Sequence, residues 1–212
     1  VFVTNPDNPS GHACPAGALV ELAAKLPPRA LLVVDEAYVD FAEPLDTFTM
    51  LPYFGEIPNL VILRTFSKMY GLAGLRLGYG VMPEWLADLL LRVKLPFSVN
   101  ILAEQAGLAA LEDDLFVAET LRVVREGREL LTRELTNLGC TVWPSQANFL
   151  MFDPPMDART LFEELLRKGV IIRPLASYGM SGKLRVSIGS EEENREFLAK
   201  TTEVLRDHDR HS

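Results

Sequence analysis

Two short apolar runs, each ending in a polar turn and separated by one helical stretch, constrain this chain most. Val1–Thr4 and Ala30–Asp35 have the length and apolar content of buried strands. Between them, Pro15–Leu26 places Leu19, Leu22, Ala23 and Leu26 at helical spacing, with Pro15 at its start. Strand, helix, strand in that order predicts a right-handed parallel crossover. Apolar residues on both faces of the runs suit parallel strands covered on both sides. Leu60–Arg64 repeats the strand signal, and Leu75–Met82 is a fourth candidate, interrupted by Gly78 and Gly80. Val1–Thr4 reads as a strand already under way, so the chain is expected to be a piece of a longer one.

After Pro83 the period turns helical. Glu84–Val93, Asn100–Leu111 and about Asp113 to Leu138 carry apolar residues at helical spacing, with Gly139 as the stop. Strands are expected at Thr141–Trp143, Ala147–Phe152, Val170–Arg173 and Leu184–Ile188, and helices at Ala158–Lys168 and Glu191–Arg206. The expected architecture is α/β: a mostly parallel sheet with flanking helices over residues 1–115, then a smaller α/β domain over 116–212. The tail from Arg206 to Ser212, with His208 and His211, reads as a frayed terminus.

Composition excludes several classes. The 29 acidic residues outnumber the 21 basic ones, giving a formal charge of −8, against a nucleic-acid partner that needs a basic footprint. No apolar stretch of about 20 residues exists, so no membrane span is expected, and no charged segment leading into an apolar one opens the chain, so no signal peptide is expected. Cys14 and Cys140 are the only cysteines; with no CxxC pair they suit a reducing cytoplasm. His12, His208 and His211 show no metal-ligand spacing, and no metal is expected. Trp85 and Trp143 are read as packing residues.

In open α/β sheets ligands sit at the carboxyl ends of strands. Asn5-Pro-Asp-Asn8-Pro-Ser-Gly11, Asp35-Glu-Ala-Tyr38 and Thr65-Phe-Ser67-Lys68 each follow a strand and could share one crevice. Read alone, Asn8 is a turn residue, Asp35 a cap or structural carboxylate, and Lys68 a surface lysine. Asn5 is assigned to the turn alone, and Glu36, on the opposite side of the pleat from Asp35, to structure.

In that order, and followed by Leu72-Ala-Gly-Leu-Arg76-Leu-Gly-Tyr79, these motifs resemble the fold type I pyridoxal-phosphate aminotransferases, and within them the histidinol-phosphate branch. Leu95-Pro-Phe-Ser-Val-Asn100, Ala147-Asn-Phe-Leu150, Ile172-Arg173-Pro and Leu184-Arg-Val-Ser-Ile-Gly189 extend the resemblance to about residue 200. It implies a pyridoxal 5'-phosphate cofactor and assigns roles. Lys68 forms the Schiff base with the cofactor aldehyde. Lowering a free lysine from about 10.4 to a catalytic 7–8 takes about 3 pKa units, roughly 4 kcal/mol. Asp35 pairs with the pyridine nitrogen, keeping the ring an electron sink. Tyr38 and Asn8 hydrogen-bond the phenolic oxygen. Thr65, Ser67 and Arg76 grip the phosphate, helped by donors upstream of Val1, where the aromatic that stacks on the ring also lies. Arg185 receives the substrate carboxylate and, in this branch, the substrate phosphate, which Arg173 also contacts. Asn148 matches the pattern without an assigned role.

The implied reaction moves an amino group between histidinol phosphate and 2-oxoglutarate, with Lys68 as base and then acid. The implied partners are a small amino donor, a 2-oxo acid and a second copy in a homodimer, with no nucleic acid and no membrane. Three rivals stay open: a threonine-phosphate decarboxylase, an aromatic aminotransferase, and the ligand-sensing aminotransferase-like domain of a transcription regulator.

Overall fold

The computed structural model describes residues 1–211. The chain forms two compact units. The first comprises Val1–Asp7 and His12–Thr120, and the second Asn8–Gly11 and Leu121–Ser212.

In the first unit, strands β1 (Phe2–Thr4), β2 (Leu32–Asp35), β3 (Leu60–Thr65) and β4 (Gly78–Val81) stand in sequence order in one sheet. β1, β2 and β3 are parallel, and β4 runs antiparallel to β3. Helix α1 (Ala16–Lys25) makes the β1–β2 crossover, and a short helix α2 (Leu45–Phe48) lies in the β2–β3 connection. The pleat explains the core. Leu32 and Val34 of β2 and Leu60 and Ile62 of β3 pack with Ala16 and Leu19 of α1 and with Met50. Val33 and Val61 are buried as well, as the all-apolar runs predict. Phe2 is 83% exposed, so the first strand is not buried as expected.

Asn5 is more than a turn residue. It is 1% exposed, and its amide binds both backbone groups of Cys14 and the carbonyl of Phe48 at 2.8–3.0 Å. This clamps the Asn5–Cys14 loop to α2. Asn5→Ala leaves those groups without the amide and is expected to cost about 2–3 kcal/mol in urea unfolding.

Helices α3 (Glu84–Val93) and α4 (Ile101–Leu111) complete the first unit, with Asn100 capping α4 through the Ala103 N–H. Leu91, Val93, Leu95, Phe97, Ile101 and Leu102 are exposed along this segment. Trp85 is half exposed rather than packed, on a helix with no buried residue.

Helix α5 (Asp114–Asn137) enters the second unit and ends at Gly139, whose φ of +82° supports a Schellman closure: Cys140 N–H to Leu135 and Gly139 N–H to Thr136. Strands β5 (Thr141–Val142), β6 (Phe149–Asp153), β7 (Arg173–Pro174) and β8 (Leu184–Ser187) form an antiparallel sheet in the order β5-β6-β8-β7. Helices α6 (Ala158–Arg167) and α7 (Glu191–His211) pack with it through Leu161, Leu165 and Phe197, the last in edge contact with Phe152. α7 continues through the tail read as frayed, as far as His211; Ser212 lies outside the described residues. Trp143 is partly exposed, its ring covered by Lys183 Nζ at 4.5 Å. Among the described residues no helix is long and apolar enough to cross a membrane.

Candidate active site

Parallel strands release their next residues at the same end of a sheet, and here that end carries most of the predicted site. Asp35 is the last residue of β2 and pairs in register with Leu63 of β3. Two residues on, Thr65 closes β3, and Ser67 and Lys68 follow. Tyr38, three residues past Asp35, lies beneath Lys68, whose Nζ is 5.2 Å from the ring centre. Among the described residues Lys68 makes no ion pair, so its amine faces the strand ends uncommitted. Asp35 Oδ1 accepts from the Ala37 N–H at 3.0 Å. That bond fixes the carboxyl rotamer at the strand end and leaves Oδ2 for a donor.

The phosphate-type residues converge in the same unit. Ser67 N–H donates to Thr65 Oγ1 at 3.0 Å, and Arg76 Nη1 reaches Ser67 Oγ at 3.4 Å and the Ala73 carbonyl at 2.8 Å. Arg76 takes φ +55°, a left-handed backbone that costs a non-glycine residue roughly 1–2 kcal/mol. The turn it makes leads the chain into β4 while its guanidinium reaches back to Ser67. The Thr65 hydroxyl also donates to the Leu77 carbonyl at 3.4 Å; with it, the Ser67 hydroxyl and the Arg76 guanidinium gather in one place as groups suited to a phosphate.

A buried ion cluster backs this arrangement, and the sequence reading missed it. Glu36 is fully buried and accepts from Arg64 Nε and Nη2 at 3.1 and 2.8 Å, from Thr49 Oγ1 at 3.0 Å and from the Met50 N–H at 2.6 Å. Arg64 also reaches Thr49 Oγ1 at 2.8 Å and Asp40 Oδ1 at 3.5 Å. Burial works against the Arg64 charge, but Glu36, by charge and hydrogen bond, and Asp40 outweigh it and hold the guanidinium more firmly protonated than usual. Burial raises the Asp40 carboxyl, against the pull of Arg64. The only sequence signal was an acid after Asp35 and a base before Thr65, which pair once β2 and β3 are known to be neighbours.

In the second unit, Arg185 of β8 is paired in register with Arg173 of β7. Arg185 donates through Nη1 to Asn8 Oδ1 and lies 4.8 Å from the Phe149 ring centre. Its Nε is buried and has no hydrogen-bond partner among the described residues. An orphaned guanidinium N–H is costly unless an anion meets it. Arg173 is exposed, and both arginines line a cavity of about 590 Å³. Asn8 has its oxygen committed to Arg185, which leaves its NH₂ as a donor. Asn148 contributes its carbonyl to the Ile188 N–H at 2.9 Å, a structural bond. Thus Asp35, Tyr38, Thr65, Ser67, Lys68 and Arg76 share one unit, and Asn8, Arg173 and Arg185 the other. Cys140 is buried, its thiol pushed up to about 11 by desolvation, and is therefore inert. No cluster of metal-ligating side chains occurs among the described residues.

The family model for aminotransferase class I and II matches residues 1–200. A histidinol-phosphate aminotransferase from Oleidesulfovibrio alaskensis is 58% identical over 209 residues, 97% of this chain and 55% of that protein. Histidinol-phosphate aminotransferase 2 from Pseudomonas aeruginosa is 46% identical over 205 residues, 97% of this chain and 56% of that protein. The chain therefore spans about half the length of the curated relatives it matches. Among solved structures, histidinol-phosphate aminotransferase from Sinorhizobium meliloti in complex with pyridoxal-5'-phosphate superposes with a TM-score of 0.91 at 32% identity, covering 98% of this chain and 57% of that one.

Proposed function

The chain belongs to the class I and II aminotransferase family, and on that footing we propose that its protein is a pyridoxal-phosphate transaminase moving an amino group from histidinol phosphate to 2-oxoglutarate. One observation carries the reading: an unpaired lysine amine over a tyrosine ring, at the end of adjacent parallel strands that also present a carboxylate and a phosphate-type donor set. We assign the first unit to the cofactor-binding large domain and the second to the small domain.

The residues fit the cofactor's chemistry. Pyridoxal phosphate, when bound, supplies an aldehyde for amine exchange and a ring that draws electrons from the substrate Cα. Lys68 Nζ would hold the cofactor and, once freed by substrate amine, would take the Cα proton as general base and deliver it as general acid to the cofactor carbon C4′. Asp35 Oδ2, which has no partner among the described residues, would pair with the ring nitrogen and favour its protonated form. Tyr38 would donate to the phenolic oxygen, and Thr65, Ser67 and Arg76 would hold the phosphate; in the second unit Asn8 keeps its NH₂ as a donor. Arg185 binds the carboxylate of 2-oxoglutarate and, with Arg173, the phosphate of the donor; the orphaned Arg185 Nε supports an anionic ligand there.

The test is product analysis with the full-length protein. Histidinol phosphate and 2-oxoglutarate are expected to give glutamate, with kcat/KM at least about tenfold above that for phenylalanine as donor. Better turnover of phenylalanine moves the substrate to the aromatic branch, and carbon dioxide release without glutamate replaces the reaction with decarboxylation. Arg185→Gln is expected to lower kcat/KM for both substrates about 100-fold, with most of the loss in KM; an unchanged KM contradicts its role.

We also assign the protein to the cytoplasm, supported by two cysteines without a CxxC pair, and to a homodimer, with the exposed apolar residues from Leu91 to Leu102 as the surface available to a second copy. Patches of that kind mark interfaces. Sedimentation of the full-length protein as a monomer would contradict the dimer.

A further inference from the structure

The buried Glu36–Arg64 cluster does more than fill the core behind the strand ends. Its members interleave with the proposed cofactor residues along the chain. Glu36 follows Asp35, and Asp40 comes two residues after Tyr38, so Arg64 grips the chain on both sides of Tyr38, at 2.8 Å and 3.5 Å. Arg64 itself precedes Thr65 and stands four residues before Lys68. One guanidinium thus ties the 35–40 segment to the 64–68 segment. Thr49 and the Met50 N–H close the cluster from a third segment, filling both Glu36 oxygens.

From this geometry we propose that Arg64, oriented by Glu36, is a positioning residue that sets Tyr38 and Asp35 against Lys68 for the cofactor. The inference rests on the function proposed above. Arg64 and Glu36 are not among the residues assigned to cofactor or substrate; their partners are Thr49, the Met50 N–H, Asp40 and each other, so they would act through the backbone of their neighbours. The planar fork matters. It meets Glu36 through Nε and Nη2, Thr49 through Nη2 and Asp40 through Nη1, a set of directions that a lysine ammonium cannot reproduce. A merely structural ion pair would tolerate Arg64→Lys at the site while losing some stability. A positioning residue would not, since a displacement of about 1 Å in a catalytic group costs up to about 100-fold.

The experiment uses the full-length protein and three readouts: pyridoxal-phosphate titration, the visible circular dichroism of the bound cofactor, and the split between kcat and KM. Arg64→Lys is expected to fold, to bind cofactor about tenfold more weakly, to lose much of the visible dichroism and to lower kcat about tenfold or more with KM little changed. Asp40→Asn, at a partly exposed side chain, serves as the second variant and is expected to weaken cofactor binding about threefold with the same dichroic change. Wild-type dichroism, affinity and kcat in a folded Arg64→Lys protein would overturn the proposal. If that variant does not fold, the same wild-type result in Asp40→Asn overturns it. Failure of the wild-type protein to bind the cofactor through Lys68 would instead overturn the underlying function, so the two failures are distinguishable.

Discussion

Lys68→Ala is expected to abolish transamination, lowering kcat by roughly four orders of magnitude or more. The substitution removes two things at once, the amine that exchanges with substrate and the base that takes the Cα proton, and general base catalysis alone contributes about 10²–10⁴-fold. Lys68→Arg keeps the positive charge over Tyr38 but has no nucleophilic amine at neutral pH. It is expected to be as inactive as the alanine variant. That equality separates chemistry from electrostatics: if charge over the tyrosine ring were what mattered, arginine would restore activity. Neither variant should unfold the protein, because the Lys68 side chain makes no hydrogen bond or ion pair among the described residues. Single-turnover rates with saturating cofactor and urea unfolding curves for both variants check the two halves of this expectation.

Asp35→Asn is expected to lower kcat about 100- to 1000-fold, the range seen when one preorganised electrostatic group is removed from a site. The change is nearly isosteric. An asparagine oxygen can still accept from the Ala37 N–H, so the strand end should keep its shape. What disappears is the negative charge that holds a proton on the ring nitrogen. The loss should therefore fall on kcat, with urea stability within about 0.5 kcal/mol of wild type. A variant within threefold of wild-type kcat would show that Asp35 has only the capping role that its residue type alone suggests.

The parts of this molecule that were legible in the sequence share a cause. Leu31–Val34 and Leu60–Leu63 are apolar without a break, which only a strand covered on both faces tolerates, and that fixed the parallel core. The candidate site was legible in outline because parallel strands end together, which allowed the turns after Thr4, Asp35 and Thr65 to share one crevice. Other features depend on pairing that no local period records. The reversal into β4 runs through the left-handed Arg76, a residue whose type gives no hint of that backbone. β5 and β7 are two residues long and carry no alternation, so the antiparallel order of the second sheet was invisible. Phe2 and Trp85 are apolar yet exposed in this chain, since apolar character alone does not say which segment covers a residue. Asn5 looked like turn chemistry, and its buried clamp needs Phe48 of α2, 43 residues away. The Glu36–Arg64 cluster is the clearest case: neither residue signals a partner until β2 and β3 are neighbours.

Borohydride reduction of the cofactor-loaded full-length protein, followed by peptide mapping, tests the central claim most directly. Reduction should fix one pyridoxyl group per chain on Nζ of Lys68, in the peptide that also contains Ser67, and should leave the Lys68→Arg protein unlabelled. A pyridoxyl group on any other lysine, with Lys68 unmodified, would contradict the site and the function built on it.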